Sequence, residues 1–75
     1  MLLEPNDIVS IVGAGGGVIL DLNEIHYTVT DLVSIAGASR SKGAKIILRN
    51  LPALKQADLV SIAGAGGGNV IFELT

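Results

Sequence analysis

Asp58 to Leu74 reads DLVSIAGAGGGNVIFEL, and the same text has appeared twice before it. Asp7 to Leu22 reads DIVSIVGAGGGVILDL, and Asp31 to Leu51 reads DLVSIAGASRSKGAKIILRNL. A unit of about two dozen residues therefore fills nearly the whole chain three times. Within each copy the apolar residues change period. Ile8, Val9, Ile11 and Val12 fall at helical spacing, as do Leu32, Val33, Ile35 and Ala36, and Leu59, Val60, Ile62 and Ala63. Apolar runs at Val18–Leu22, Ile46–Leu48 and Val70–Leu74 follow, and these read as strands.

The turns between them carry glycine. Gly13 and Gly15-Gly16-Gly17 end the first helix, because glycine takes the left-handed conformation that a helix terminus needs. Gly64 to Gly68 reads the same way in the third copy. Ser39-Arg40-Ser41-Lys42-Gly43 is the longer replacement in the second. Asn6 or Asp7, Thr30 or Asp31, and Asp58 are the expected helix caps. Met1 to Glu4 reads as a further short strand, stopped by Pro5, and Pro52 reads as part of a turn.

Helices alternating with strands through connections this short imply parallel strands joined by right-handed crossovers. The expected fold is α/β: one domain over residues 1–75, with units at about 1–16, 17–43 and 44–75. It is a short, solenoid-like, single-layer parallel sheet of four strands in the order 1-2-3-4, with three helices on one face. Aligning Val18, Ile46 and Val70 puts Leu20, Leu48 and Phe72 in one column, and Asp21, Arg49 and Glu73 in another. On neighbouring parallel strands the second column alternates minus, plus, minus, a favourable cross-strand order.

Side chains on a strand alternate between faces. Val18, Leu20 and Leu22, with Ile46, Leu48, Val70, Phe72 and Leu74, point to the helices. Ile19, Ile47 and Ile71 then form a row on the other face, beside Asp21, Arg49 and Glu73. Parallel sheets are nearly always covered on both faces, and no segment of the chain is left for the second one. Burying an isoleucine is worth ~1.5–3 kcal/mol. The sequence therefore predicts that this face, or an open sheet edge, meets a second copy or another protein. Those six residues are its candidate contact set.

Composition limits the alternatives. A net charge of −2 gives no reason to expect nucleic acid, and two aromatic residues, Tyr27 and Phe72, offer no stacking platform. Apolar runs of four or five residues are too short to span a bilayer. Without cysteine there is no disulfide framework or thiolate chemistry, and a cytoplasmic location fits. Met1 to Pro5 lacks the basic start and apolar core of a signal peptide.

The glycine loops superficially resemble a dinucleotide-binding opening, but position 18, where a third fingerprint glycine would stand, is Val18. They also follow helices and precede strands, where the local dipole end is negative. An anion- or nucleotide-binding module built on them is the third-ranked reading. Arg40, Lys42, Lys45, Arg49 and Lys55 concentrate in the middle unit and the loop after it. Arg40 and Lys42 suit a helix C-terminus, and the cluster could meet an acidic partner such as Glu4, Asp7 and Glu73 of a second subunit. His26, the single histidine, lacks the partners of a zinc site. Ser10, Ser34 and Ser61 sit mid-helix with no base nearby. No catalytic, cofactor or metal residues are assigned, and the chain reads as non-enzymatic.

Two resemblances bear on this. The unit of strand, loop, short amphipathic helix and turn resembles the leucine-rich repeats of the ribonuclease-inhibitor type, with Lys45-Ile46-Ile47-Leu48-Arg49-Asn50 as a loose LxLxxN-like strand. That likeness implies a scaffold that binds protein. Val18 to Lys55 is similar to the STAS domains of anti-sigma-factor antagonists, which carry a phosphorylated serine before a helix. The matching turn here is Val29-Thr30-Asp31-Leu32, so this likeness implies a regulatory switch with Thr30 as the acceptor hydroxyl.

Overall fold

The computed structural model describes residues 3–51 and 54–74. Its elements run α1 (Pro5–Gly13), β1 (Val18–Asp21), α2 (Val29–Ser39), β2 (Ile46–Arg49), α3 (Gln56–Gly66) and β3 (Val70–Phe72). The protein is a small α/β fold in which three helices pack on a three-stranded parallel sheet of order β1-β2-β3. The predicted strand at Met1 to Glu4 is not among these strands. Met1 and Leu2 lie outside the described residues, Leu3 and Glu4 belong to no strand, and Glu4 is the N-cap of α1. The turn expected at Pro52 also lies outside them.

The register follows the sequence alignment. Val18 pairs with Ile46 and Ile46 with Val70; Leu20 pairs with Leu48 and Leu48 with Phe72. Leu20, Ile46 and Leu48 are buried and share one core cluster with Val12 of α1, Ile35 of α2 and Ile62 of α3. All three helices therefore feed the same face of the sheet. Ile19 and Ile71 on the opposite face are 55% and 48% exposed.

Each helix starts two or three residues earlier than the aspartates suggested, and for one reason. Asp7, Asp31 and Asp58 are not N-caps but third-position residues. Their carboxylates accept the N-cap backbone N–H of Glu4, Thr28 and Lys55 at 2.9, 3.0 and 3.0 Å. At α2 the exchange is reciprocal, because Asp31 N–H donates to Thr28 Oγ1 at 3.1 Å. Pro5 starts a helix instead of stopping a strand; at the first helical position its missing N–H costs nothing. Leu3, Tyr27 and Leu54 each precede an N-cap and pack on the core, the apolar half of the same start signal.

The helix ends differ. At α1, Gly15 N–H donates to Val12 O at 2.9 Å and Gly16 N–H to Ile11 O at 3.0 Å, with Gly15 at φ +104°. This pair closes the orphan carbonyls of the last turn. In the third copy the expected stop at Gly64 gives way, and α3 runs through Gly66 to a left-handed cap at Gly67. Gly66 is buried, and a Cβ there would overlap Val70 Cγ2 and lie 3.6 Å from Ala36 Cβ. Close approach of α3 to β3 and α2 requires this glycine inside the helix. Helix propensity alone would have ended α3 sooner.

Candidate functional site

The helix-free face is a grid of three strands by three levels. Ile47 is the register partner of Ile19 on one side and of Ile71 on the other, and the three form its middle row. Ile47 is half-buried between its exposed neighbours. Two residues on from each isoleucine stand Asp21, Arg49 and Glu73; two residues before stand Gly17, Lys45 and Asn69. The patch is thus a narrow apolar stripe between two polar rows.

The first polar row is only half the ladder the sequence suggested. Arg49 Nε donates to Glu73 Oε2 at 2.7 Å, with both side chains about half exposed. Asp21 is the register partner of Arg49, yet its carboxylate is taken elsewhere. Asp21 Oδ1 accepts from Asn50 Nδ2 at 2.7 Å and from Asn23 N–H at 2.9 Å. These hydrogen bonds, the Asn50 one foremost, hold its pKa below the ordinary carboxylate value against a smaller opposing desolvation, and the Arg49 charge adds least. Asn50 reaches this position from a left-handed backbone, φ +58°, which asparagine tolerates better than most residues. On the opposite row, Lys45 Nζ reaches Asn69 Oδ1 at 3.4 Å, and Asn69 Nδ2 donates to Ser39 O at 3.1 Å. The sequence names Asn50 only as the end of an LxLxxN-like strand and gives Asn69 no role, so neither is predicted to hold these positions. The available signal was an asparagine at each margin of a strand.

The ends of the molecule are chemically opposite. The strand C-termini and helix N-termini lie at one end, and they carry all seven carboxylates together with Arg49 and Lys55. The other end carries Arg40, Lys42 and Lys45 and the glycine turns. There a Cβ on Gly67 would meet Arg40 Nε at 2.9 Å, and one on Gly15 would meet Lys42 Cβ at 3.8 Å. In the first glycine turn the N–H groups of Gly15 and Gly16 are spent on the carbonyls of α1.

The remaining candidates fall apart spatially or lie exposed. Thr30 is at the second position of α2, exposed, beside the capping aspartate Asp31. His26 and Glu24 are exposed on the connection after β1, and Ser10 Oγ donates to Asn6 O at 3.1 Å. Tyr27 is half-buried, and its hydroxyl donates to Leu3 O at 2.5 Å. Desolvation raises its pKa, with smaller pushes from the charges of Asp7, Asp31 and Glu4. No group of three or more metal-ligating side chains forms among the described residues, and no helix among them is long and apolar enough to cross a membrane.

A second apolar feature lies on the flank of α1 and the outer edge of β1, which pairs with no strand but β2 among the described residues. It is a recess of about 270 Å³ lined by Leu3, Ile8, Ile11, Val18, Ile25 and Tyr27, among others. No family model matches this chain, and no curated protein or solved structure matches it.

Proposed function

We propose that the chain is a non-enzymatic interaction module of the cytoplasm that associates with itself or another protein through its uncovered sheet surface or a sheet edge. The observation that carries this reading is the row of Ile19, Ile47 and Ile71, with its outer members about half exposed, on a parallel sheet whose other face packs against the three helices. Parallel sheets are stable in nearly all proteins only with both faces covered. A standard interface takes roughly 800 Å² from each partner, about a sixth of the 4600 Å² this chain exposes. Three isoleucines are too few to supply that, so the polar rows at Asp21, Arg49 and Glu73 and at Lys45 and Asn69 belong to the contact as its rim. A protein-binding role is also what the likeness to leucine-rich repeats implies.

Sedimentation across a concentration series tests this. The wild type is expected to gain mass with concentration, and, if the isoleucine row is the contact, Ile47→Asp to remain smaller while keeping its far-ultraviolet circular dichroism. A wild type that stays strictly monomeric to high micromolar concentration rejects self-association.

A further inference from the structure

The three units make the same contacts with their neighbours, except where a neighbour is missing. Ile11, Ile35 and Ile62 occupy one helical position. Ile35 and Ile62 are 0% and 1% exposed, whereas Ile11 is 40% exposed. Among the described residues no helix precedes α1, so this position is the one that packs on the preceding unit. The next position gives the reciprocal result. Val12 and Ala36 are 0% and 1% exposed, and Ala63 on the last helix is exposed. This position packs on the following unit, as the closeness of Ala36 Cβ to Gly66 independently shows. The strands agree: Leu20 and Leu48 are buried, and Phe72 on the open edge is half-buried.

The recess beside Ile11 is therefore one half of the internal joint, left without its filler. The surface around Ala63 and Phe72 is the other half, left without its socket. From this complementarity we infer that a second copy of this chain docks its α1–β1 flank on the α3–β3 flank of the first, adding β1 to β3 in parallel. The inference rests on the self-association reading and specifies which surface mates with which. Because the two surfaces differ, the contact is heterologous and every pair keeps one free surface of each kind, so copies go on adding beyond a dimer. One feature of the joint opposes it. Continuing the register brings Asp21 of the incoming copy beside Glu73, a like-charge pair. Salt screens that pair, so assembly grows as ionic strength rises.

The test uses two variants at exposed positions, Ile11→Lys on one flank and Ala63→Arg on the other, each checked for wild-type circular dichroism and urea midpoint. By sedimentation velocity up to millimolar concentration, the wild type is expected to form a ladder of species that lengthens with concentration and salt. Each variant alone is expected to stay monomeric. Their equimolar mixture is expected to stop at twice 7.6 kDa, because one intact joint remains per pair. A closed wild-type dimer, a variant that still elongates, or a mixture that stays monomeric overturns the joint. Ile47→Asp separates the two failures. If it abolishes assembly while Ile11→Lys does not, the sheet face is the contact and the joint is wrong. If the wild type is monomeric throughout, both fail.

Discussion

Arg49 donates from Nε to Glu73 Oε2 at 2.7 Å, joining two strands across an otherwise uncovered surface. Both side chains are about half in water, and exposed pairs of this kind contribute ~0.2–1 kcal/mol. Arg49→Ala should lower the unfolding free energy by less than about 1 kcal/mol, and raising salt should shrink the difference. Urea denaturation at two ionic strengths measures both effects.

Gly66→Ala should be more damaging despite its smaller chemical change. The added methyl has Val70 directly in its way and Ala36 behind it. Overpacking of this type costs roughly 1–3 kcal/mol. Gly64, also helical, has open space around its Cβ position, so Gly64→Ala should be neutral or stabilising. Opposite shifts in melting temperature for the two are the expected result.

Removing the reciprocal cap at α2 should also be legible. Thr28→Ala or Asp31→Ala should each cost ~0.5–2 kcal/mol. Since the two side chains act in one motif, the double variant should lose less than the sum. A double-mutant cycle by chemical denaturation checks this.

Equivalent isoleucines should respond unequally. Ile35→Ala and Ile62→Ala empty fully buried sites and should each cost ~2–5 kcal/mol. Ile11→Ala, at a site 40% exposed, should cost clearly less in the monomer. Equal costs at low protein concentration would contradict the description of α1 as the uncovered end.

Asp21 and Tyr27 each contribute to the pH dependence. Asp21 has a folded pKa below its unfolded value, so its contribution is present above the unfolded pKa, about 3.9, and disappears as pH falls through the folded one. Tyr27 is the reverse case. Its folded pKa is raised, so its contribution is intact below about pH 10 and disappears as pH rises through the folded value. Asn50→Ala should raise the Asp21 midpoint in a carboxyl-carbon NMR titration. Tyr27→Phe should lessen the alkaline loss of stability expected of the wild type.

Much of this architecture was readable from the chain because the text repeats. Aligning the copies gave the strand register down to the pairing of Leu48 with Phe72, and the alternation within each strand separated Ile19 from Leu20. Helix starts are ambiguous in the sequence because aspartate suits both the cap and the third position, and only the threonine at Thr28 distinguishes the two. The extent of α3 was not readable, since a buried glycine such as Gly66 looks the same in sequence as one that ends a helix. Asp21 and Arg49 were correctly paired in register, but the hydrogen bond went to Asn50, whose left-handed backbone nothing local announces. The α1 flank was invisible for a different reason: Ile11 differs from Ile35 only in what lies next to it.

The opposed ends bear on how the protein behaves at charged surfaces. A formal charge of −2 suggests weak, one-sided electrostatics. With every aspartate and glutamate at one end and Arg40, Lys42 and Lys45 at the other, the charged side chains instead form a dipole that runs along the three helices and opposes their backbone macrodipoles. Near neutral pH and at low salt it should be retained by anion-exchange and cation-exchange resins alike, standing on opposite ends in the two cases.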